Sequence, residues 1–288
     1  MNKDLFLKSS VAVVRIQCEE ALIPLIINDT FLTAYIPSVE ILYDIDSFDA
    51  NITIKKSHIN NIQFQYPEII FEYSEFNPKD IISLAEYILE RARQERGIIC
   101  VHGASAIIDN RAVVCWGPAT GMGKSSLALA LSNDGYFYSD EKVLVDLKTK
   151  QVVGRIDKQY LSNDYWKKKF GNTNYFTHLN LSKDRKYDIS LFAYALLCEQ
   201  EEFVVDKWTA DKFMWHLYEE SARKIRGTSR TFFNRQYPAM SLDTDIIAKQ
   251  RLKLINEFVK ELQCIYFKGK CSKIVNYITS YTKKKHLS

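Results

Sequence analysis

Residues 117–131, "GPATGMGKSSLALAL", form the most specific motif of the chain. It contains the Gly-Lys-Ser that ends a phosphate-binding loop, at Gly123, Lys124 and Ser125. In the usual pattern, four residues separate the first glycine from this Gly-Lys pair. Here Pro118 stands where the first glycine is expected, and the glycine comes one residue earlier, at Gly117. The sequence therefore predicts a phosphate-binding loop that is one residue longer than usual.

The residues around the loop favour phosphate binding. The strand-like "AVVCW" (112–116) precedes it and the helix-like "SSLALALS" (125–132) follows it. This order directs backbone N–H groups and the positive end of a helix toward an anion. Lys124 is predicted to reach the β- and γ-phosphates of a nucleoside triphosphate, and the Ser125 hydroxyl to hold magnesium. The predicted nucleotide-binding residues are Gly117, Thr120, Gly121, Met122, Gly123, Lys124, Ser125 and Ser126.

Two acidic residues follow the next predicted strand. A right-handed strand–helix–strand unit places "YFY" (136–138) parallel to "AVVCW", with the ends of both strands at one edge of the sheet. Asp140 and Glu141 come at that edge, where a carboxylate can bind magnesium or accept the proton of an attacking hydroxyl. A helix cap or a surface turn is the structural alternative. For Asp146 the structural interpretation is favoured, because it precedes a predicted hairpin turn.

Three segments together resemble a known family. In order and spacing, "VHGASAII" (101–108), the loop and "YFYSDEKVLVD" (136–146) are similar to the core of HPr kinase/phosphorylase and its looser relatives. Those relatives include kinases encoded beside peptide-modification enzymes, and the fold is related to phosphoenolpyruvate carboxykinase. The resemblance covers residues 98–147 and extends weakly to the end of the chain. It implies an α/β protein with a P-loop kinase core of this type and an N-terminal β-rich extension.

The resemblance also implies an activity, which is the transfer of phosphate from ATP, with magnesium, to a serine or threonine hydroxyl of a peptide or protein. The family's roles fall on His102, Lys124 and Asp140 as catalytic residues, and on Ser125 and Glu141 as magnesium ligands, while the identity of the base within the pair Asp140 and Glu141 stays open. The chain departs from the family in its longer loop, in a Glu in place of the second Asp, and in lacking an "EIRG"-like signature at its expected place. The reverse reaction and HPr as substrate therefore stay open.

The remainder of the chain is divided into three parts by its patterns. Residues 1–76 are predicted to be β-rich, 77–273 to form the kinase domain and 274–288 a frayed basic tail. The predicted strands and helices are at "VAVVRI" (11–16), "FLTAYI" (31–36), "ANITIKK" (50–56), "EIIFEY" (68–73), a helix capped by Asn77, "IICV" (98–101), "ASAII" (104–108), "ISLFAYALLC" (189–198), a helix from Thr209, a helix through Ala248–Leu262 and "CIYF" (264–267).

Two irregular segments, 155–187 and 223–240, are predicted either to grip an acceptor peptide or simply to cover the core. In the gripping interpretation, an extended peptide would contact Tyr165, Trp166 and Tyr175. The arginines considered for the transferred phosphate are Arg155, Arg226, Arg230 and Arg235, each with a solvated surface residue as the alternative.

Composition limits the other classes of function. A net charge of +4 is too weak to favour nucleic acid or a membrane as partner. Six cysteines without close pairing favour reduced thiols and a cytoplasmic protein. A kinase of a small metabolite and a non-catalytic nucleotide-binding module stay as alternatives. A nucleic-acid kinase, suggested by "WKKKF" (166–170), is less favoured. The composition is compatible with a homo-oligomer but does not predict one.

Overall fold

The computed structural model describes residues 2–43, 45–156, 186–199, 201–227 and 229–286. Within these ranges the chain forms two compact units. The first combines residues 2–96 with 222–250, and the second combines 97–156, 186–221 and 251–286. The chain is thus of mixed α/β type, and each unit has its own sheet.

The strands are β1 (Asn2–Ser9), β2 (Ala12–Glu19), β3 (Val39–Leu42), β4 (Ala50–Lys56), β5 (Asn61–Gln65), β6 (Glu68–Tyr73), β7 (Ile98–Ile108), β8 (Arg111–Trp116), β9 (Tyr136–Ser139), β10 (Lys142–Asp146), β11 (Gln151–Gly154), β12 (Tyr187–Leu197), β13 (Val204–Lys207), β14 (Ser229–Phe232), β15 (Arg235–Pro238) and β16 (Cys264–Gly269). The helices are α1 (Ile23–Ile27), α2 (Phe31–Tyr35), α3 (Pro78–Glu95), α4 (Lys124–Leu131), α5 (Ala210–Arg223), α6 (Asp245–Glu261) and α7 (Cys271–His286).

The first unit is a six-stranded sheet in the order β3-β1-β2-β4-β6-β5, covered by α3. The start of α3 is as predicted, because the Asn77 side chain accepts the N–H of Lys79 at 3.1 Å and Pro78 occupies the first turn. Its apolar stripe, which includes Ile81 and Ile88, lies in the core of this sheet. The compact units therefore do not coincide with the predicted boundary at residues 76/77, since α3 belongs with the N-terminal strands.

Two predictions for the first unit are wrong. "FLTAYI" is the short helix α2 instead of a strand, because Asp29 accepts the N–H of Phe31 at 2.8 Å and so starts a helical turn. The rings of Phe31 and Tyr35, one helical turn apart, then stack with centroids 4.5 Å apart. In the segment 223–240, which was predicted to be irregular, β14 and β15 form an antiparallel hairpin.

The second unit has a sheet in the order β11-β10-β7-β8-β12-β16-β13, with β9 paired to β7. The pairs β8–β12 and β12–β16 are parallel, and β11 also pairs with β12. Both faces of the sheet are covered, because alternate residues of β8 point to opposite sides. Val114 and Trp116 pack with α5 and α6, whereas Val113 and Cys115 pack with α4 and α7.

Three strands were predicted between residues 98 and 116, and two are present. β7 runs without a break through His102 and Gly103, because His102 pairs with Lys142 and Gly103 pairs with Trp116. The predicted frayed tail is also wrong. Residues 271–286 form α7, which is held by Ile274 and Ile278, both fully buried against the sheet.

Candidate active site

A cavity of about 280 Å³ lies in the second unit, at the end of the predicted phosphate-binding loop. It is lined by His102, Thr120, Gly121, Gly123, Lys124, Ser125, Ser126, Asp140 and Glu141. The fold thus brings the predicted loop, the predicted acidic pair and the predicted histidine together. Gly117 and Met122, also predicted to bind nucleotide, are not part of this lining.

The sheet topology explains why these residues meet. β8 and β9 are both antiparallel to β7, so they run in the same direction, as predicted, although β7 lies between them. The loop follows the end of β8, and Asp140 follows the end of β9, so both face the same edge of the sheet. The positive end of α4, which begins at Lys124, lies at this edge as well.

Backbone conformation shapes the end of the loop. Gly121 and Gly123 have φ angles of 86° and 93°, in the region that favours glycine. Gly123 also lies close to β12, since a Cβ built there would be 2.3 Å from Cγ of Leu197. The N–H of Leu197 donates to the carbonyl of Met122 at 3.0 Å. The loop is therefore fixed to the neighbouring strand immediately before α4.

At the front of the loop, Met122 packs against the first glycine. A Cβ built on Gly117, where φ is 152°, would lie 2.9 Å from Sδ of Met122, so the methionine folds back over the first glycine. Pro118, Ala119 and Thr120 are exposed. Gly117 and Met122 thus shape the loop, and the cavity is lined by its last residues.

Lys124 is 7% exposed, and its Nζ donates to the carbonyl of Ala119 at 2.7 Å. The ammonium is therefore held across the loop at the cavity. Beside it, Oγ of Ser125 donates to Oδ1 of Asp140 at 2.6 Å, a short distance that is typical of a hydroxyl bonded to a carboxylate. Asp140 is 1% exposed, but Ser125 is half-buried and both residues line the cavity, so this contact between loop and acidic pair is partly accessible from the cavity.

The turn after β9 has an unusual backbone. The N–H of Lys142 donates to the carbonyl of Asp140 at 2.7 Å, which closes a three-residue turn, and Glu141 between them has a φ of 62°. A positive φ is unfavourable for glutamate, and such strain is concentrated at functional sites. The hydroxyl of Ser139 bonds the carbonyl of Lys142 at 2.6 Å and thereby holds the turn in place.

His102 lies near two carboxylates. Its Nδ1 is 4.0 Å from Oε2 of Glu141, and its backbone N–H donates to Oε1 of Glu220 at 3.2 Å. Glu220 lies on α5, is 7% exposed and was not predicted as a site residue. Its position carried a signal, because Phe213, Leu217 and Glu220 follow one helical stripe and a charge on an apolar stripe needs a buried partner.

The other polar candidates lie elsewhere. Asp146 accepts the N–H groups of Lys148 and Thr149 at 2.8 and 3.1 Å, so it caps the hairpin turn, as the structural interpretation has it. In the first unit, Arg230 packs over the ring of Tyr87 at 3.9 Å, and Nε of Arg226 lies 3.5 Å from Oδ2 of Asp243. Arg155 and Arg235 are likewise not part of the cavity lining.

One of the two irregular segments can be placed. In residues 223–240, Phe232 is fully buried, Phe233 stacks on Phe71 at 4.9 Å and the hydroxyl of Tyr237 accepts the N–H of Ile62 at 3.0 Å. These aromatic residues cover the core of the first unit. Residues 157–185, with Tyr165, Trp166, Tyr175 and the "WKKKF" stretch, lie outside the described residues.

Comparison with known proteins adds no family assignment, since no protein-family model matches the chain and no curated protein matches it significantly. The resemblance to HPr kinase-like proteins stays a prediction based on the motifs of residues 101–146. Among the helices described, none combines the length and apolarity needed to cross a membrane.

Proposed function

We propose that the protein is a phosphotransferase with a P-loop kinase core of the HPr kinase and phosphoenolpyruvate carboxykinase type. It transfers the γ-phosphate of ATP to a serine or threonine hydroxyl of a peptide or protein. One observation carries the proposal, namely that Asp140 and Glu141 line the same cavity as Lys124 and Ser125. Carboxylates beside a phosphate site repel the ligand unless a cation lies between them or they accept a proton. A site that only binds phosphate gains nothing from them.

The donor atoms at the cavity fit magnesium. The Ser125 hydroxyl and the Asp140 carboxylate are hard oxygen donors, and they are 2.6 Å apart. Magnesium usually takes one or two carboxylates, together with waters and substrate phosphates, in place of an all-protein cage. Magnesium held there would neutralise charge on the nucleotide's phosphates.

The geometry favours a different allocation of the two acidic residues from that predicted. Asp140 is nearly buried and bonds the predicted magnesium ligand Ser125, so we assign it to the metal. The Glu141 side chain is 38% exposed and lies beside His102 at the cavity. We therefore assign the proton-accepting role to Glu141, with His102 orienting its carboxylate.

In the proposed reaction, the acceptor oxygen forms a bond to the γ-phosphorus while the bond from that phosphorus to the bridging oxygen breaks. Glu141 takes the proton of the acceptor hydroxyl, and ADP is the leaving group. The Lys124 ammonium stabilises the charge that develops on the phosphate oxygens. The strained turn fixes the backbone of Glu141 at the cavity before the acceptor arrives.

Support for a peptide or protein acceptor comes from the family resemblance. The hairpin at 229–238 does not add to it, because its aromatic residues face the core of the first unit. The experiment must therefore distinguish a peptide kinase from two alternatives. One is a kinase that phosphorylates a small-metabolite hydroxyl, and the other is a protein that binds nucleotide without transferring phosphate. The predicted cytoplasmic location and the oligomeric state stay predictions.

The test combines calorimetry with transfer of label from γ-labelled ATP. We expect wild type to bind Mg-ATP and the Lys124→Ala variant to bind it at least ~10-fold more weakly, because a charge-assisted contact is lost. Lys148→Ala, at an exposed lysine of the β10–β11 turn, is the matched control. Equal binding by wild type and Lys124→Ala would contradict the loop assignment. Label recovered on a sugar or amino acid would indicate a kinase of a small metabolite. Binding of Mg-ATP without any transfer of label would indicate a non-catalytic nucleotide-binding module.

A further inference from the structure

A group of aromatic rings lies beside the front of the loop in the second unit. We call it the ring cluster, consisting of Tyr194 on β12, Trp208 just before α5, and His216 on α5. The Tyr194 and Trp208 centroids are 4.8 Å apart, and the His216 ring stacks on Trp208 at 4.6 Å with an interplanar angle of 29°. The Tyr194 ring is tilted by 41° against Trp208, and its centroid lies 6.1 Å from that of His216, so the three rings form a compact triangle in which each contacts the other two.

Tyr194 places the ring cluster beside the predicted phosphate-binding loop. β12 is the parallel neighbour of β8, and Tyr194 is in register with Trp116, the last residue before the loop. A Cβ built on Gly117 would lie 3.7 Å from Cε2 of Tyr194. The rings thus begin at the first residue of the loop whose last residues line the cavity.

His216 is the member of the cluster that is open to solvent. Trp208 is 7% exposed, whereas His216 is exposed. Trp208 covers one face of the imidazole, and the face turned away from Trp208 is called its outer face. Lys212, one turn earlier on α5, places its Nζ 4.6 Å from the centroid of the Trp208 ring. The exposed member is consequently a flat ring, fixed from below by tryptophan and flanked by a cation.

The charge state of His216 suits stacking. Burial, and secondly the positive charge of Lys212, lower the pKa of His216. The imidazole is therefore neutral near pH 7, and it carries one nitrogen that donates and one that accepts. Such a ring stacks on a heteroaromatic base and can also hydrogen-bond at its edge.

We propose that the outer face of His216 is the binding platform for the base of a nucleoside triphosphate whose phosphates bind at Lys124. The inference rests on the proposed function and adds the site of the nucleoside. Every base has a π-face, so the platform separates nucleotides from bare phosphates and does not discriminate strongly between adenine and guanine. ATP and GTP are therefore expected to bind with similar affinity.

The experiment compares three ligands by calorimetry in the presence of magnesium: ATP, GTP and inorganic tripolyphosphate. His216→Ala should weaken ATP and GTP binding at least ~5-fold, the lower end of the effect of removing a ring under a base. Tripolyphosphate binding should stay unchanged. His216→Phe keeps a flat ring and should retain most of the affinity. Trp215→Ala is the matched control, since Trp215 is the adjacent residue, is 59% exposed and contacts Tyr218 instead of the ring cluster.

The outcomes separate this inference from the proposed function. If His216→Ala binds ATP like wild type while Lys124→Ala does not, the platform is wrong and the phosphate site stands. Equal weakening of ATP and tripolyphosphate by His216→Ala would also overturn the platform, because it would indicate a distorted loop. If wild type binds neither ATP nor tripolyphosphate, the proposed function itself fails.

Discussion

Two glycines of the loop have similar backbones and very different surroundings. Gly121 and Gly123 have φ angles of 86° and 93°, but a Cβ at Gly121 would meet no atom within 4 Å, whereas one at Gly123 would lie 2.3 Å from Leu197. We expect Gly121→Ala to lower the free energy of unfolding by about 1–2 kcal/mol, the cost of a left-handed alanine. Gly123→Ala should cost about 2–5 kcal/mol, since overpacking adds to that strain. Urea unfolding measures both.

A double variant tests the cause of this difference. Leu197→Gly removes every side-chain atom that an added Cβ at Gly123 would meet, including the Cβ of Leu197 at 2.8 Å. The further cost of Gly123→Ala in that background should fall to the cost of Gly121→Ala. If both glycine variants are equally stable in the wild-type background, the tight contact of the loop with β12 does not contribute to stability.

Glu141 and Asp140 are expected to affect different steps when they are substituted. Glu141→Gln should keep Mg-ATP binding and lower the rate of transfer by ~100-fold or more, the usual scale for loss of a general base. Asp140→Asn should instead raise the magnesium concentration needed for half-maximal rate, since Asp140 bonds Ser125. Transfer rates over a magnesium titration distinguish them. The reverse pattern would return the roles to those predicted from the sequence.

Strands and helices with a clear local sequence pattern could be predicted, whereas those that depend on a single contact could not. The strand β8, the helix α4 and the strand β9 were predicted because each has a clear local pattern, and chain handedness then brought Asp140 toward the loop. α2 was missed because its "FLTAYI" residues favour strands, and the capping contact of Asp29 decides the outcome. The contact of Glu220 with His102 joins residues far apart in sequence, so it depends on the tertiary fold.

The buried face of α7 is expected to contribute to the stability of the fold. A basic end suggested a frayed tail, but Ile274 and Ile278 are spaced by one turn and are both fully buried. Ile278→Ala should lower the free energy of unfolding by about 2–5 kcal/mol, because it leaves a cavity under the helix. Lys283→Ala, at an exposed position of the same helix, should change it by less than about 0.5 kcal/mol. Equal effects in thermal unfolding would show that α7 is not part of the cooperative core.

Binding of Mg-ATP is expected to stabilise one of the two compact units of the molecule against unfolding and not the other. Each unit has its own core, and all residues that line the cavity belong to the second. A ligand stabilises the part of a protein that must be folded to bind it, by a factor of ~100 in the unfolding equilibrium at 100 times its Kd. We therefore consider Mg-ATP at ~100 times its Kd. For amides of β7, β8 and α4 that exchange only when the second unit unfolds, hydrogen exchange should slow by up to ~100-fold. Exchange in β1, β2 and β4 should not change. Equal slowing in both units, measured by mass spectrometry, would mean that the two cores unfold as one cooperative structure, because the binding energy would then stabilise every core strand of the chain.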